Sequence, residues 1–230
     1  MIPPVPAFAA ALGFAIVDDL LALDLLPELA RTCDDLLAGG PGRRDGLRHP
    51  LLRELAASRA VRAVVEPVLG PTCFAHRATV FDKTPAANWP VPWHQDLMVP
   101  VAARVDAAGF GPWSQKHGSW WVQPPAATLA NLLAVRIDLD GSRPETGCLR
   151  VLPGTHLAGV LSPARIGELQ AQVAPVWCEA PAGGAVLMRP LLLHASSRAT
   201  VAGHRRVVHL EFAAAPLVAG VEWLDRVPAR

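Results

Sequence analysis

Lysine is nearly absent from this chain of 230 residues, in which only Lys83 and Lys116 occur beside many arginines. Basic and acidic residues still balance closely, at 21 against 20, and no polybasic run is present. The charge pattern therefore gives no reason to expect nucleic acid or an acidic membrane surface as a partner. We interpret the scarcity of lysine as a coding bias of the source.

Two further scarcities exclude other classes of protein. The four cysteines are widely spaced and form no CxxC pair, which argues against a zinc site built from them and against a disulfide framework. The apolar segment near the amino terminus is interrupted by early prolines, lacks a basic leader and ends at Asp18 and Asp19. It is shorter than the roughly 20 apolar residues that cross a bilayer. We therefore expect a cytoplasmic protein without membrane association.

The chain is rich in apolar residues, and their number and spacing indicate how it folds. Hydrophobic residues make up 51% of the sequence, which favours one compact domain over residues 1–230. Within residues 1–71, leucine and alanine recur at helical spacing over 19–38 and 50–69, on either side of a glycine-rich loop at 39–46. This first part is predicted to be helical.

Residues 72–215 differ, because short runs rich in valine, leucine and phenylalanine alternate there with proline and glycine. Such runs predict strands, and they cover residues 72–83, 91–101, 127–140, 148–156, 182–197 and 204–215. Helices followed by many short strands predict an α+β, mainly β protein with a jelly-roll core over residues 72–215.

The triplet His94-Gln95-Asp96 is the most informative motif in the chain. On a strand, residues two apart point to the same face, so the imidazole of His94 and the carboxylate of Asp96 would project together. A second histidine from a distant strand would complete a set of two histidines and one carboxylate, which leaves open positions on a metal as in non-haem iron(II) oxygenases. An HxD triplet alone is weak evidence, because it can also be the polar end of an ordinary strand.

A second group of residues strengthens this interpretation. His194 follows an apolar run, and Arg205 lies eleven residues further on at the start of another. The planar guanidinium of an arginine near the third ligand suits a dicarboxylate co-substrate, whose distal carboxylate it can bind with two hydrogen bonds. Arg206 is the alternative if the strand register shifts by one residue.

Four stretches of the chain together resemble the phytanoyl-CoA dioxygenase family of iron(II)/2-oxoglutarate oxygenases, in its bacterial branch. They are FDKTPAANWPVPWHQDLMVPV at 81–101, TGCLRVLPGTHLAG at 146–159, GGAVLMRPLLLHASS at 183–197 and HRRVVHLEFA at 204–213. The HQD triplet, the LPGTH turn, the HASS segment and the arginine eleven residues after the distal histidine follow the order and spacing of that family. The resemblance covers most of residues 72–215.

The resemblance implies a double-stranded β-helix (jelly-roll) core with N-terminal helices packed outside it. It implies iron(II) as the metal, with 2-oxoglutarate and dioxygen as co-substrates, and His94, Asp96 and His194 as catalytic metal ligands. The implied reaction is the hydroxylation of a small organic molecule with release of succinate and carbon dioxide. Related halogenases lack the carboxylate ligand, so the presence of Asp96 favours hydroxylation or another oxidation.

The same resemblance implies the residues around the co-substrate. Arg205 would hold the far carboxylate of 2-oxoglutarate and Ser196 would assist it. Thr79 matches a strand position that lines the co-substrate pocket, and Lys83 matches a position where members frequently carry a lysine.

The tryptophan-rich segment 109–125 lies between the first metal-binding strand and the next core strand. A long insertion at this place could form a lid, with Trp113, Trp120 and Trp121 lining a pocket for an apolar or aromatic substrate. A small hydrophobic cluster under a loop is an equally good interpretation.

Two other functions remain open on the sequence. A jelly roll with these ligands could hold zinc or manganese and act as a hydrolase or isomerase, although such an enzyme needs no arginine for a dicarboxylate. A non-catalytic ligand-binding member of the family is the second alternative, although all three candidate ligands are present. The identity of the substrate and the oligomeric state do not follow from the residues.

Overall fold

The computed structural model of this protein describes residues 10–116, 118–218 and 220–228. The described strands are numbered here in chain order: β1 Phe14–Val17, β2 Gly42–Arg43, β3 Phe74–Lys83, β4 Val91–His94, β5 Val99–Val101, β6 Trp113–Lys116, β7 Ser119–Val122, β8 Leu132–Asp138, β9 Leu149–Val151, β10 Val176–Cys178, β11 Ala185–Met188, β12 His194–Ser196 and β13 Arg205–Ala213. The described α-helices are α1 Leu26–Leu36, α2 Pro50–Ala57, α3 Arg59–Leu69, α4 Ala126–Ala130 and α5 Pro163–Gln172.

Two antiparallel sheets form the jelly roll. The major sheet has six strands in the order β1-β11-β8-β13-β3-β2, and the minor sheet has four in the order β10-β9-β12-β4. Ala134 and Met188 of the major sheet and Leu149 and Val151 of the minor sheet belong to one buried cluster, so the sheets face each other. The predicted mainly β, double-stranded β-helix fold is confirmed.

Helices α1, α2 and α3 cover the outer face of the major sheet. Leu29, Leu52 and Val65 of these helices share one apolar cluster with outward residues of the sheet such as Val80 and Leu210. Burial of these side chains stabilises the fold at roughly 25 cal/mol per Å² of apolar surface. No helix in the described ranges is long and apolar enough to cross a bilayer.

The first part of the chain is less uniformly helical than predicted. The segment 50–69 forms two helices, because Ser58 is extended at φ −65° and ψ 150°. The Ser58 hydroxyl accepts a hydrogen bond from the Val61 backbone amide and so caps the start of α3. Strand β1 also lies in this part and pairs with β11 at the edge of the major sheet, where the apolar FAIV run is covered by a partner strand.

Two of the predicted strands also differ from the structure. The segment 127–140 begins within the short helix α4, and only its second half is strand β8. The segment 91–101 is divided between β4 in the minor sheet and β5 in a separate sheet of order β5-β7-β6. The HQD triplet therefore spans the end of a strand and the connection after it.

Candidate metal centre and its cavity

A cavity of about 530 Å³ lies between the two sheets. Side chains on the inner face of the major sheet form one wall, because alternate residues of a strand point to the same side. In the antiparallel pairing of β3 with β13, Thr79 lies opposite His209, and Lys83 lies opposite Arg205. All four line the cavity. The pairing of β3 with β13 thus fixes the order of the polar groups along the length of the cavity.

His94 and His194 lie side by side on the opposite wall. They are paired residues of the antiparallel strands β4 and β12, and their ring centroids are 4.1 Å apart. Asp96 follows β4 by two residues, and its backbone amide donates to the Pro190 carbonyl oxygen at 2.9 Å. Its carboxylate oxygens lie 3.7 Å from His94 Nε2 and 3.5 Å from His194 Nε2. The three candidate ligands are therefore brought together, although Asp96 is not on a strand.

Both imidazoles are held in the form that a metal needs. His94 Nδ1 lies 2.9 Å from the Pro92 carbonyl oxygen, and His194 Nδ1 lies 2.8 Å from the Leu192 carbonyl oxygen. A carbonyl oxygen can only accept, so each Nδ1 carries the proton and each Nε2 keeps a free lone pair. The hydrogen bonds orient both Nε2 atoms towards Asp96.

The protonation of the cluster suits a divalent cation. Burial lowers the pKa of His194 to about 4, so that this imidazole is neutral near pH 7. The pKa of Asp96 is lowered even though burial raises it, because His194 lies beside the carboxylate. Ligands about 2.1 Å from one metal and at right angles lie about 3 Å apart, so binding requires the observed gaps to close by about half an ångström. The donor set fits a metal with open positions.

Gln95 anchors the connection that carries Asp96. Its side-chain amide donates to the Leu191 carbonyl oxygen at 2.6 Å and to the Gly159 carbonyl oxygen at 2.8 Å. Its side-chain oxygen accepts from the Leu161 backbone amide at 2.9 Å. The residue between the two candidate ligands thus ties their segment to the loops before β12 and α5.

Lys83, Arg205 and Ser196 meet at one end of the cavity. The Lys83 ammonium donates to the Ser196 hydroxyl at 2.9 Å and to the Ser197 carbonyl oxygen at 2.6 Å. Arg205 donates from Nη1 to the Gly147 carbonyl oxygen at 2.5 Å, while its Nε is buried without a hydrogen-bond partner among the described residues. Thr79 lines the same cavity four residues before Lys83 on β3, opposite His209.

Arg136 adds a third buried cation that the sequence reasoning missed. It lies on β8 opposite His209 and lines the cavity, and its Nε and Nη2 find no hydrogen-bond partner in the described ranges. Its signal in the sequence is a charged residue inside the apolar run LLAVRID, since arginine is rarely buried unpaired. Asp138, two residues on, is also buried, and its burial raises its pKa.

Burial and the neighbouring cations lower the pKa values of Lys83 and Arg205. Burial, together with Arg205 and Arg136, lowers the pKa of Lys83 to about 7. Burial and Arg136 lower the pKa of Arg205 to about 9. A bound dianion would neutralise this end of the cavity and supply the missing hydrogen-bond acceptors.

The alternation of strand β13 places the two adjacent arginines on opposite sides of the major sheet. Arg206 points to the outer side, where Nε bonds to Asp34 at 2.7 Å and Nη1 bonds to Asp140 at 2.8 Å. Arg205 points into the cavity. Arg206 is thereby satisfied by ion pairs and is separated from the candidate co-substrate region.

The three tryptophans of the expected lid do not act together. The segment forms the β6–β7 hairpin, and alternation along β7 sends Trp120 and Trp121 to opposite faces. Trp121 lines the cavity. Trp113 and Trp120 instead make an edge-on contact with centroids 6.5 Å apart and pack against a buried cluster around Val99. These two residues do not line this cavity, and their packing is that of the hydrophobic-cluster alternative, so a substrate-lining role for them stays a prediction.

Two histidines and one carboxylate lie together between the sheets of this jelly roll. This is the ligand set of non-haem metal centres, so the cluster is a candidate for one. The sequence matches the model of the phytanoyl-CoA dioxygenase (PhyH) family over residues 13–207. The chain therefore belongs to the PhyH family, as its motifs indicated. A search of curated protein sequences found no match.

Solved structures share the fold at low sequence identity. EctD from S. alaskensis, in a structure with bound Fe, superposes with a TM-score of 0.74 at 18% identity, covering 98% of this chain and 85% of EctD. The epimerase SnoN, in complex with Fe³⁺, alpha ketoglutarate and nogalamycin RO, gives 0.69 at 17% identity, covering 98% and 94%. The alpha ketoglutarate dependent carbocyclase SnoK from nogalamycin biosynthesis gives 0.69 at 16% identity, covering 91% and 82%.

Proposed function

We propose that this protein is a non-haem iron(II)/2-oxoglutarate-dependent dioxygenase that hydroxylates a small organic molecule. The observation that carries the proposal is the pairing, within one cavity, of a two-histidine, one-carboxylate cluster with a separate group of unpaired buried cations. Membership of the PhyH family supports it. So does the structural neighbour SnoN, whose structure contains Fe³⁺ and alpha ketoglutarate.

Each group of residues has a defined task in this proposal. His94, Asp96 and His194 would hold iron(II), and the hydrogen bonds of the two imidazoles to backbone carbonyl oxygens keep their Nε2 atoms oriented. Arg205 receives the far carboxylate of 2-oxoglutarate through two N–H donors, and Lys83 contributes a further positive charge. Ser196, whose hydroxyl accepts from Lys83, and Thr79 provide hydroxyl groups beside it.

The bound metal and co-substrate supply the oxidative chemistry, in which 2-oxoglutarate is converted to succinate and carbon dioxide while the substrate is oxidised. The chain supplies orientation, and Leu149, Met188 and Phe81 add apolar surface between the polar groups of the cavity. These side chains limit the access of water to the reacting groups. With only three protein ligands, a bound metal would keep room for the co-substrate and dioxygen.

The other candidate functions account less well for the cavity. A hydrolase or isomerase with zinc or manganese would use the same three ligands but would leave Arg205 and Arg136 buried with no ion-pair partner within 4 Å among the described residues. Leaving buried charges unpaired costs several kcal/mol. A non-catalytic ligand-binding protein has no requirement for two histidines held as metal ligands.

The test is to measure succinate formation from 2-oxoglutarate under air, with iron(II) and ascorbate, in wild type and variants. Slow formation without added substrate, abolished by His94→Ala and with a raised 2-oxoglutarate requirement in Arg205→Ala, is expected. His204→Ala is the matched control, because its exposed imidazole pairs with Asp82 away from the cluster. Anaerobic titrations of iron(II) and 2-oxoglutarate report binding where turnover needs the substrate.

Binding of neither iron(II) nor 2-oxoglutarate would contradict the proposal. Zinc-dependent turnover without succinate would transfer support to the hydrolase or isomerase. Once a substrate is known, the mass of the product separates hydroxylation from epimerisation or ring closure, since only hydroxylation adds an oxygen atom.

A further inference from the structure

The end of the cavity remote from Lys83 is also cationic. Arg44, Arg77, Lys116 and Trp121 line both this cavity and an adjoining one of about 300 Å³, and we call these four residues the junction. Arg77 and Lys83 are on the same face of β3, six residues apart, which corresponds to about 20 Å of extended strand. The junction is thus separated from the proposed co-substrate site by most of the length of the cavity.

One of the three cations at the junction is neutralised within the protein. Arg77 forms a buried ion pair with Glu211, and its Nη1 also donates to the Met98 carbonyl oxygen at 3.2 Å. Arg77 holds the pKa of Glu211 below its usual range although burial acts in the opposite direction, so this pair stays ionised. Arg77 therefore contributes little net charge towards a ligand.

The other two cations have no such partner. Arg44 and Lys116 are exposed at the rim, and neither has a carboxylate within 4 Å in the described part of the chain. The nearest acidic neighbour in sequence, Asp45, is already bound by Arg43 at 2.7 Å. Positive charge at the junction is therefore available to a ligand.

Trp121 provides a flat apolar surface between these charges. The Arg77 guanidinium lies 4.9 Å and the Lys116 ammonium 5.3 Å from the centroid of its ring system. These contacts position both cations beside the ring. Its indole Nε1 is buried and has no acceptor among the described residues. The junction thus combines cations with a buried indole ring whose N–H has no acceptor among the described residues.

The charges that line the whole cavity also favour an anionic ligand. Six basic side chains line it, while Asp96 is its one acidic lining residue among those described. A divalent metal adds two positive charges, and a 2-oxoglutarate dianion removes two. Arg44 and Lys116 are then left without a counter-charge among the described lining residues, and a positive cleft raises the local concentration of anions.

The placement of lysine supports this interpretation independently. The chain has only two lysines, and both line this cavity, one at each end. A coding bias accounts for the rarity of lysine but not for this coincidence.

We infer that the substrate of this cavity carries an anionic group, a carboxylate or a phosphate, which binds at the junction between Arg44 and Lys116. The inference rests on the proposed function for the same cavity. The rest of the substrate extends past Met98 towards His94 and Asp96, which line the same space. The anion is thereby bound away from the metal, and the oxidised carbon is remote from the charged group.

The experiment measures ligand affinity by anaerobic titration calorimetry on protein loaded with iron(II) and saturating 2-oxoglutarate. The probes are phenylacetate and phenyl phosphate, compared with the neutral phenylacetamide and benzyl alcohol. We expect the anions to bind about tenfold more tightly than the neutral probes. Lys116→Met and Arg44→Met should each weaken anion binding about threefold to fivefold, the range for exposed charge pairs, and leave neutral binding unchanged.

Lys116→Arg should keep the preference for anions, and Arg59→Met is the matched control because Arg59 is exposed on α3 and does not line the cavity. Equal binding of charged and neutral probes, unchanged preference in both Met variants, or no binding of either anion at millimolar concentration would overturn the inference. Iron(II) and 2-oxoglutarate binding are measured on the same samples, so their loss contradicts the proposed function and not the anion preference. A tighter affinity for phenyl phosphate than for phenylacetate would identify the phosphate as the group recognised.

Discussion

Replacement of Arg205 by methionine gives the sharpest test of the co-substrate site. Arg205 is 4% exposed, donates one hydrogen bond to the Gly147 carbonyl oxygen and leaves Nε without an acceptor. A bound carboxylate would therefore find a buried fork with free donors. Truncating one partner of a buried, hydrogen-bonded charge pair costs about 2–4 kcal/mol. Since 1.4 kcal/mol is a factor of ten, the Kd of 2-oxoglutarate should rise about 30- to 800-fold.

The assay is anaerobic calorimetric titration of 2-oxoglutarate into iron(II)-loaded protein. Arg206→Met is the matched control, because Arg206 is bound to Asp34 and Asp140 on the outer side of the sheet. That variant should lose some thermal stability and keep its affinity for 2-oxoglutarate. A larger rise in Kd for Arg206→Met than for Arg205→Met would refute the assignment of the two side chains.

Three further predictions concern residues around the same centre. Because the pKa of Lys83 is about 7, its positive charge is present below pH 7 and is lost above it. The affinity for 2-oxoglutarate, measured by calorimetric titration, should therefore fall as pH rises from 7 to 9. Lys83→Met should flatten that pH dependence. Gln95→Leu leaves buried backbone groups unpaired and should lower stability by about 2–3 kcal/mol, seen as a Tm reduced by about 5–10 °C, whereas the exposed Gln115→Leu should be neutral. Gly147→Ala places a Cβ 2.5 Å from the Ser197 carbonyl oxygen at φ +71°, so Tm should fall and the Kd of 2-oxoglutarate should rise. Gly70→Ala is the control, because Gly70 also has a positive φ, +88°, but has open space around it. Its loss of Tm therefore measures the backbone strain without the clash.

Much of this architecture follows from local sequence patterns. Short apolar runs between proline and glycine are enough to indicate the jelly roll, and His194 at the end of an apolar run indicates a ligand at a strand edge. The break at Ser58 is harder to predict, because leucine and valine keep helical spacing on both sides of it. The strand β1 is recognisable only when its partner β11 is known, since four residues carry too little periodicity.

Asp96 joins the histidine cluster for a different reason from the one that its spacing to His94 suggests. Alternation along one strand would place His94 and Asp96 on the same face, but β4 ends at His94. The carboxylate reaches the cluster because the Asp96 amide bonds to the Pro190 carbonyl oxygen and Gln95 bonds to the Leu191 carbonyl oxygen, both from a segment about 95 residues later. Tertiary hydrogen bonds of this kind leave no mark on the spacing of residues.

Apolar and polar residues alternate along β3 and β13, but here the polar residues face the interior and not water. Polar residues on alternate positions normally face water, yet here the apolar set, exemplified by Val80 and Leu210, lies beneath the helices on the outside of the sheet. The polar set, exemplified by Lys83, Arg205 and His209, faces the space between the sheets. Both sets are buried, so periodicity alone cannot tell which face is the core. A strand that alternates apolar with charged residues, in a sheet covered on both sides, therefore indicates an internal binding cavity, because buried charges are stable only where ligands, metals or opposite charges meet them.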